Sequence, residues 1–425
     1  MKSNTHAHTV RLLMAVVAVA TPMAPTPRAL AAEQPDDVRA IVAEMLTDAE
    51  TRSSLLQDSA TAGHDGGFFI KSPDDAFRIS PGGLLQFRYT YNHRKDAGDE
   101  YGFSMSRARL WLSGHVYDNI SFYVRGQFSG AVKLDAFEDS RDTGGLVLDR
   151  AWVGFELTEV LSLRLGQQVS ELTRENEHSP QSQLGVASSP TDSVFGLGGF
   201  LGAQLHARGE RMRAWLTFSN GARVVRTDFD DPRNADYALT AKVDYKFAGE
   251  WNQFSNFTSR RGSEFAAMFG AGVHWEQGAD VGTPATEADL LMAVAELSFE
   301  GNGWNAYAAV NYAYNDIRTT SFGSDLGFVL QGGAFVSEKV ELYGRFDMVI
   351  PNDDRPVEND VFRTWTCGFN YYPISGTLAA KFSADLTYFF DAEATSIVGP
   401  STNTSVLASA DGDQFAFRVQ FSLVF

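Results

Sequence analysis

The sequence predicts an all-β fold: a sixteen-stranded antiparallel transmembrane β-barrel (residues 66–425) preceded by a short N-terminal periplasmic helix. Three observations predict it. Segments of roughly nine to thirteen residues alternate apolar and polar side chains, as barrel-crossing strands do. The connections between them are alternately short and long. The first residues read as a secretory leader, which sends the chain out of the cytoplasm.

The leader comes first. Lys2 and Arg11 precede the apolar run LLMAVVAVA (12–20), and Ala29-Leu30-Ala31 supplies a small-x-small site, so 1–31 reads as a signal peptide cut after about Ala31. That run is too short to cross a bilayer as a helix, which needs about 20 residues. Residues 32–65 come next as a periplasmic helix and linker. Within 36–57, Val38, Ile41, Val42, Met45, Ala49 and Leu56 lie near one helical face, with Asp36 and Asp37 at its start. This helix either docks on the barrel or joins subunits as a coiled coil. TAGHDGG (61–67) reads as a flexible linker.

From Phe68 onward the period is two. A small hairpin is expected at 68–71 with 77–80. Strands are then expected near 84–92, 103–117, 120–130, 146–157, 161–169, 199–208, 212–220 and 236–247, and near 265–276, 288–300, 304–315, 324–336, 340–350, 362–373, 378–390 and 414–425. Asp118-Asn119, Thr158-Glu159-Val160, Gly209-Glu210-Arg211, Gly301-Asn302-Gly303 and Ser337-Glu338-Lys339 are tight hairpin turns. Between them come long loops, including 131–145, 170–198, 221–235 and 391–413. One connection, 248–264, is long where the scheme asks for a short turn. The last strand sets Phe415, Phe417, Val419, Phe421, Leu423 and Phe425 on one face and Arg418 on the other. In a barrel the apolar face meets lipid and the polar face lines water.

Composition narrows the partners. The single Cys367 allows no internal disulfide. A mean hydropathy of −0.19 excludes a bundle of membrane helices. Without 1–31, which hold three basic and no acidic side chains, 53 acidic face 32 basic residues, a net charge of −21. Such a surface repels nucleic acid. No His-x-x-x-His pair, Cys-x-x-Cys pair or G-x-S-x-G elbow appears, so no enzyme, cofactor or metal site is expected.

The stretches GGLLQFRYTYN (82–92), SRARLWLSGHVYDNISFYVRGQF (106–128), DRAWVGFEL (149–157), LRLGQQVSELTREN (163–176) and VFGLGGFLGAQLH (194–206) resemble the phosphate-selective porin O and P family, in its order. The resemblance implies an outer-membrane porin, usually trimeric, with 170–198 folded inward as a constriction loop carrying Glu171, Arg174, Glu175 and Glu177. It also implies that Phe425 is the signal read by the barrel-assembly machinery. The chain departs from the family after its Gly-Gln pair, where Gln168, Val169, Ser170 and Glu171 replace the family's Phe, Lys and Pro.

Projecting the alternation puts Arg88, Arg107, Arg109, Arg125, Arg150, Arg164 and Arg213 on the lumen wall. Guanidinium groups stay charged and could guide small anions in steps. They could equally pair with the acidic loop, which holds Glu171, Glu175, Glu177 and Asp192 against Arg174 and His178. The expected function is passive diffusion of small hydrophilic solutes, anions such as phosphate among them, with outer-membrane lipid around the barrel and a homotrimer as the assembly. The alternative is a structural envelope protein with a plugged barrel, tethered through its helix.

Overall fold

The computed structural model describes residues 61–95, 98–128, 146–281, 286–317, 320–353, 361–391 and 412–425, with isolated positions 40, 43–45, 47 and 407. The chain divides into two units, Met1–Asp58 and Ser59–Phe425. In the first, residues 43–45 are helical. The rest of the expected 36–57 helix and the leader lie outside the described residues, as do most of the loops 131–145 and 391–413.

In the second unit the strands are β1 (Thr61–His64), β2 (Phe68–Lys71), β3 (Phe77–His93), β4 (Glu100–Val116), β5 (Ile120–Gln127), β6 (Val147–Glu156), β7 (Leu161–Val169), β8 (Gly199–Arg208) and β9 (Met212–Ser219). They continue as β10 (Tyr237–Ala248), β11 (Ala266–Val281), β12 (Thr286–Gly301), β13 (Trp304–Ile317), β14 (Thr320–Phe335), β15 (Val340–Ile350), β16 (Phe362–Tyr371), β17 (Ala380–Phe389) and β18 (Gln414–Val424). From β3 to β18 each strand pairs antiparallel with the next, and β18 pairs with β3 from Phe415↔His93 to Val424↔Leu84. That last ladder closes a sixteen-stranded barrel and leaves no edge within it.

The expected pairing of 68–71 with 77–80 forms, but its surroundings differ from expectation. Residues 77–80 are the first residues of the long barrel strand β3 and not a separate strand. The segment 61–64, read as linker, is a strand paired with β2 (Ala62↔Ile70). The physical reason is an open edge. β18 stops at the level of Gly83, and β2 takes over the unpaired side of β3 beyond it through Ile70↔Ile79 and Lys71↔Arg78. Glycine at 61–67 masked the strand, because glycine is a poor strand former even where pairing supports it.

Phe425 closes the chain against β3. Its carbonyl accepts from Gly83 N at 2.7 Å, its own N–H donates to the Gly83 carbonyl at 3.1 Å, and its ring lies over Gly83, where a Cβ would stand 2.3 Å from the ring. Outside the barrel the alternating apolar residues are exposed, Leu110, Val124, Leu216, Leu330 and Phe369 among them. Inside, the polar residues are buried, and two elements other than strands bury them.

The first is 170–198. It is locally ordered by caps readable in sequence: Thr173 Oγ1 accepts from Asn176 N at the start of α1 (Arg174–Glu177), and Ser189 Oγ accepts from Asp192 N at the start of α2 (Pro190–Phe195). The second is 249–265, the connection too long for a hairpin turn. It reaches across the short-turn mouth. Trp251 Nε1 donates to the Gly209 carbonyl, Arg261 Nη2 to that of Phe335 and Arg260 Nη2 to that of Thr377, so one segment ties the turns of distant strands.

Candidate functional site

The loop 170–198 enters the barrel and lies against β12–β18 and the adjoining β3. A buried backbone must find partners for its polar groups, and side chains of that wall supply them. Lys381 Nζ donates to the Gln183 carbonyl (2.8 Å), Asn370 Nδ2 to Leu184 (2.9 Å), Arg88 Nη2 to Val186 (3.1 Å) and Arg345 Nη1 to Ala187 (3.0 Å), while Val186 N donates to Asp385 (3.2 Å). Apolar anchors complete the seat: Leu172, Phe195 and Leu197 pack with Met292, Val294 and Val349, and Leu184 packs with Phe257, Tyr307 and Val329.

Arg174 joins the loop to the segment below it. Its guanidinium, 1% exposed, donates to Glu300 (2.8 Å), Ser298 Oγ (2.8 Å) and the Asn256 carbonyl (2.7 Å), and its backbone N–H donates to Glu296 (3.0 Å). Phe257 adds a backbone N–H to the Ser182 carbonyl (3.0 Å), and its ring faces the Arg174 guanidinium at 4.4 Å. Loop and turn thus meet inside the barrel and share one buried cation.

The loop's carboxylates are mostly spoken for by groups other than the arginine row. Glu175 accepts from Ser189 N (3.0 Å) and Ser189 Oγ, with Arg345 Nη1 at 4.0 Å. Glu171 accepts from Gln204 Nε2, and Glu177 lies 3.6 Å from Arg213. Burial, reinforced by nearby Glu177, pushes the Glu171 carboxyl up to about 7. Burial and then the Arg174 guanidinium hold His178 well below the ordinary imidazole range, so it is neutral.

The arginines face the other way. On β4–β6, Arg107, Arg109, Arg125 and Arg150 line a cavity of about 380 Å³ between the wall and the loop, with Asp149 among them, Glu175, Asp192, His178 and Gln183 on the loop side and Arg223 from the segment after β9. Arg125 and Arg150 are register partners, directly opposite each other. Asp149 accepts from Arg125 Nε and sits 3.5 Å from Arg109 Nε. The Nε groups of Arg107 and Arg150 have no hydrogen-bond partner among the described residues. Of the other arginines, Arg164 lies over the Trp152 ring at 4.6 Å. Arg213 lies over Trp215 and Trp251 and pairs with Asp244 (2.9 Å). Arg88 stands apart under the loop, donating twice to Gln420 (2.9 and 2.7 Å).

Sequence reasoning missed Arg345, Arg223 and the turn 249–265 as parts of the site. Arg345 was legible as inward by alternation, but nothing local says that its partner lies at 187–188. Among the described residues no His, Cys, Asp and Glu cluster could hold a metal ion.

Residues 82–186, which span β3 to β7 and half the loop, match the phosphate-selective porin O and P family model. No curated protein matches the chain. Among solved structures the fold is similar to an anion-selective porin from Comamonas acidovorans (13% identity, 82% of this chain, 100% of that one, TM-score 0.56). It is also similar to the trimer form of OmpT, an outer membrane protein of Vibrio cholerae (16%, 83% and 100%, 0.54). A third likeness is to the outer membrane channel DcaP of Acinetobacter baumannii (13%, 84% and 99%, 0.51). At such identities these likenesses concern the fold. Family and fold are those of non-enzymatic channels. With the match of 82–186 to that family model, the closed sixteen-strand barrel and the lumen wall just described, the chain is a passive outer-membrane porin whose β3–β7 region is similar to the phosphate-selective porin O and P family.

Proposed function

We propose that this porin prefers anions, and that Arg107, Arg109, Arg125 and Arg150 form the wall past which they move while 170–198 forms the constriction. One observation carries the reading: Arg125 and Arg150 stand directly opposite each other, with Asp149 as the one carboxylate lining their cavity on the strand side. Like charges in opposed strand positions repel. They are tolerated where water and passing anions offset them. The two loop carboxylates that line the cavity are engaged by the loop's own hydroxyl and amide groups, Glu175 by Ser189 and Asp192 by Thr173, which leaves them less free to offset the arginines. The small cavity and the departure from the family after Gln167 favour small anions in general over phosphate alone.

The same reading takes the mature protein to begin near residue 32 and to assemble as a homotrimer, in keeping with the trimer form of the similar Vibrio cholerae protein. Reconstitution of the purified protein into planar bilayers tests both. Conductance is expected to rise in groups of three equal steps, with a reversal potential directed to chloride under a potassium chloride gradient. A potassium-directed potential would overturn the anion preference, and solitary steps would overturn the trimer.

A further inference from the structure

Three consecutive strands carry an arginine and an aromatic residue one pleat apart on the lumen face: Arg109-Leu110-Trp111 on β4, Tyr123-Val124-Arg125 on β5 and Arg150-Ala151-Trp152 on β6. β5 runs opposite to its neighbours, and its order is reversed to match. In every case the arginine therefore lies nearer the long-loop end and the ring nearer the short-turn end. Successive inward side chains are about 7 Å apart along a strand. By register Trp111 shares a rung with Arg125 and Arg150, and Tyr123 shares the next rung toward the short turns with Trp152, so guanidinium groups and rings alternate on this wall.

The rings are ordered. Tyr123 and Trp152 stack with ring centroids 5.9 Å apart at 14°, and Arg164 extends the stack from β7. Trp111 lies over Gly82 of β3, where a Cβ would stand 2.5 Å from the indole. Only glycine lets the ring rest on the wall, with Arg125 across the ladder from it. Inward positions of a porin are polar as a rule, while aromatic girdles belong on the lipid side. Partly exposed rings inside the barrel, each paired with an arginine, ask for a ligand with the same two ends.

We propose that the β4–β6 wall binds aryl carboxylates, the carboxylate among the guanidinium groups and the ring against Trp111 and Tyr123, with Trp152 backing Tyr123, and that the porin selects them over aliphatic anions of equal charge. Arginine presents paired donors to a carboxylate, and aromatic rings and guanidinium planes stack on a second ring. The guanidinium half of the site rests on the anion preference proposed above, whereas the aromatic half does not.

The experiment uses the reconstituted full-length porin carrying chloride current, to which benzoate or cyclohexanecarboxylate is added. Benzoate should interrupt the current at a concentration about fivefold lower than its saturated counterpart, the size of one good ring contact. Trp152→Leu and, separately, Trp111→Leu should bring the two within about twofold. Gly82→Ala, which pushes Trp111 off the wall, should act in the same direction. Equal thresholds in the unaltered porin would overturn the aryl site, and so would a fivefold preference that survives in whichever tryptophan variant inserts. A potassium-directed reversal potential in the unaltered porin, read before either acid is added, would instead remove the anion reading beneath it.

Discussion

Two stretches of one inner wall, built on the same period-two alternation, are treated in opposite ways by the chain. Along β12–β18 the loop 170–198 covers the wall and its charges are buried. Along β4–β6 a cavity of about 380 Å³ separates the wall from the loop, and the arginines face it. The difference lies in charge balance. On the covered side the buried charges are paired or hydrogen-bonded: Arg418 with Asp385 (2.7 Å), Arg345 with Asp347 (3.0 Å) and Arg174 with Glu300 (2.8 Å) are ion pairs, while Glu341 accepts from Tyr372 and Asn370 and Lys381 donates to the Gln183 carbonyl. Buried charge is tolerated when paired and hydrogen-bonded. On the open side Arg107, Arg109, Arg125 and Arg150 share Asp149. Covering them would strand several cations away from water. The loop therefore settles where the wall can be neutralised, and the surplus of positive charge stays beside the solute path.

The comparison is broken most directly by removing that surplus. Replacing Arg125 and Arg150 by serine takes two cations from the open wall while Asp149 stays. Chloride permeability relative to potassium should fall about tenfold, the scale on which a charged cleft enriches its counter-ion. The reversal potential checks it, and an unchanged value would place the preference elsewhere in the lumen.

A smaller effect is expected on the covered side. Arg174→Ala leaves Glu300 buried without its partner, and breaking such a pair costs about 3–5 kcal/mol. That cost falls on the junction of 170–198 with 249–265, because Arg174 also holds the carbonyl of Asn256. Single-channel records should then show a larger and noisier conductance. A quiet trace of unchanged height would mean that the apolar seat of Leu172, Leu184 and Phe195 suffices to hold the loop.

How much of this was open to reading depends on range. Strand faces follow from alternation alone, which is why β7, β8 and β15 fall at their expected bounds (161–169, 199–208, 340–350) and the arginines of β4–β6 share a face. Strands beside the loops run past expectation, as β11 does to Val281 and β14 from Thr320, because a ladder continues through polar residues while its partner does. The landing place of 170–198 was hidden, since Lys381 and Gln183 become neighbours only once the barrel has closed. The turn 249–265 showed only as an anomaly of length. Its inward fold depends on Phe254 and Phe257, which in one dimension look like any two aromatics near a strand end.

The smallest expected effect sits at the border of the two sides. Glu171 leaves β7 beside Gln204, and burial raises its carboxyl from 4.5 to about 7. Because the folded value lies above the unfolded one, the fold holds the proton more tightly. Ionisation then costs nothing extra below about 4.5, costs more as pH climbs toward 7, and costs its full amount above. Arg164 and Arg150 are near enough to feel the new charge. Between pH 6 and pH 8 the open wall therefore loses part of its surplus, and chloride preference should weaken by about twofold or less, as for a single partly solvated pair. Glu171→Gln keeps the side chain neutral throughout, so its reversal potential should stay level across that range. If it followed the unaltered porin, another group would own the titration, and the border between covered and open wall would have to be drawn beyond Glu171.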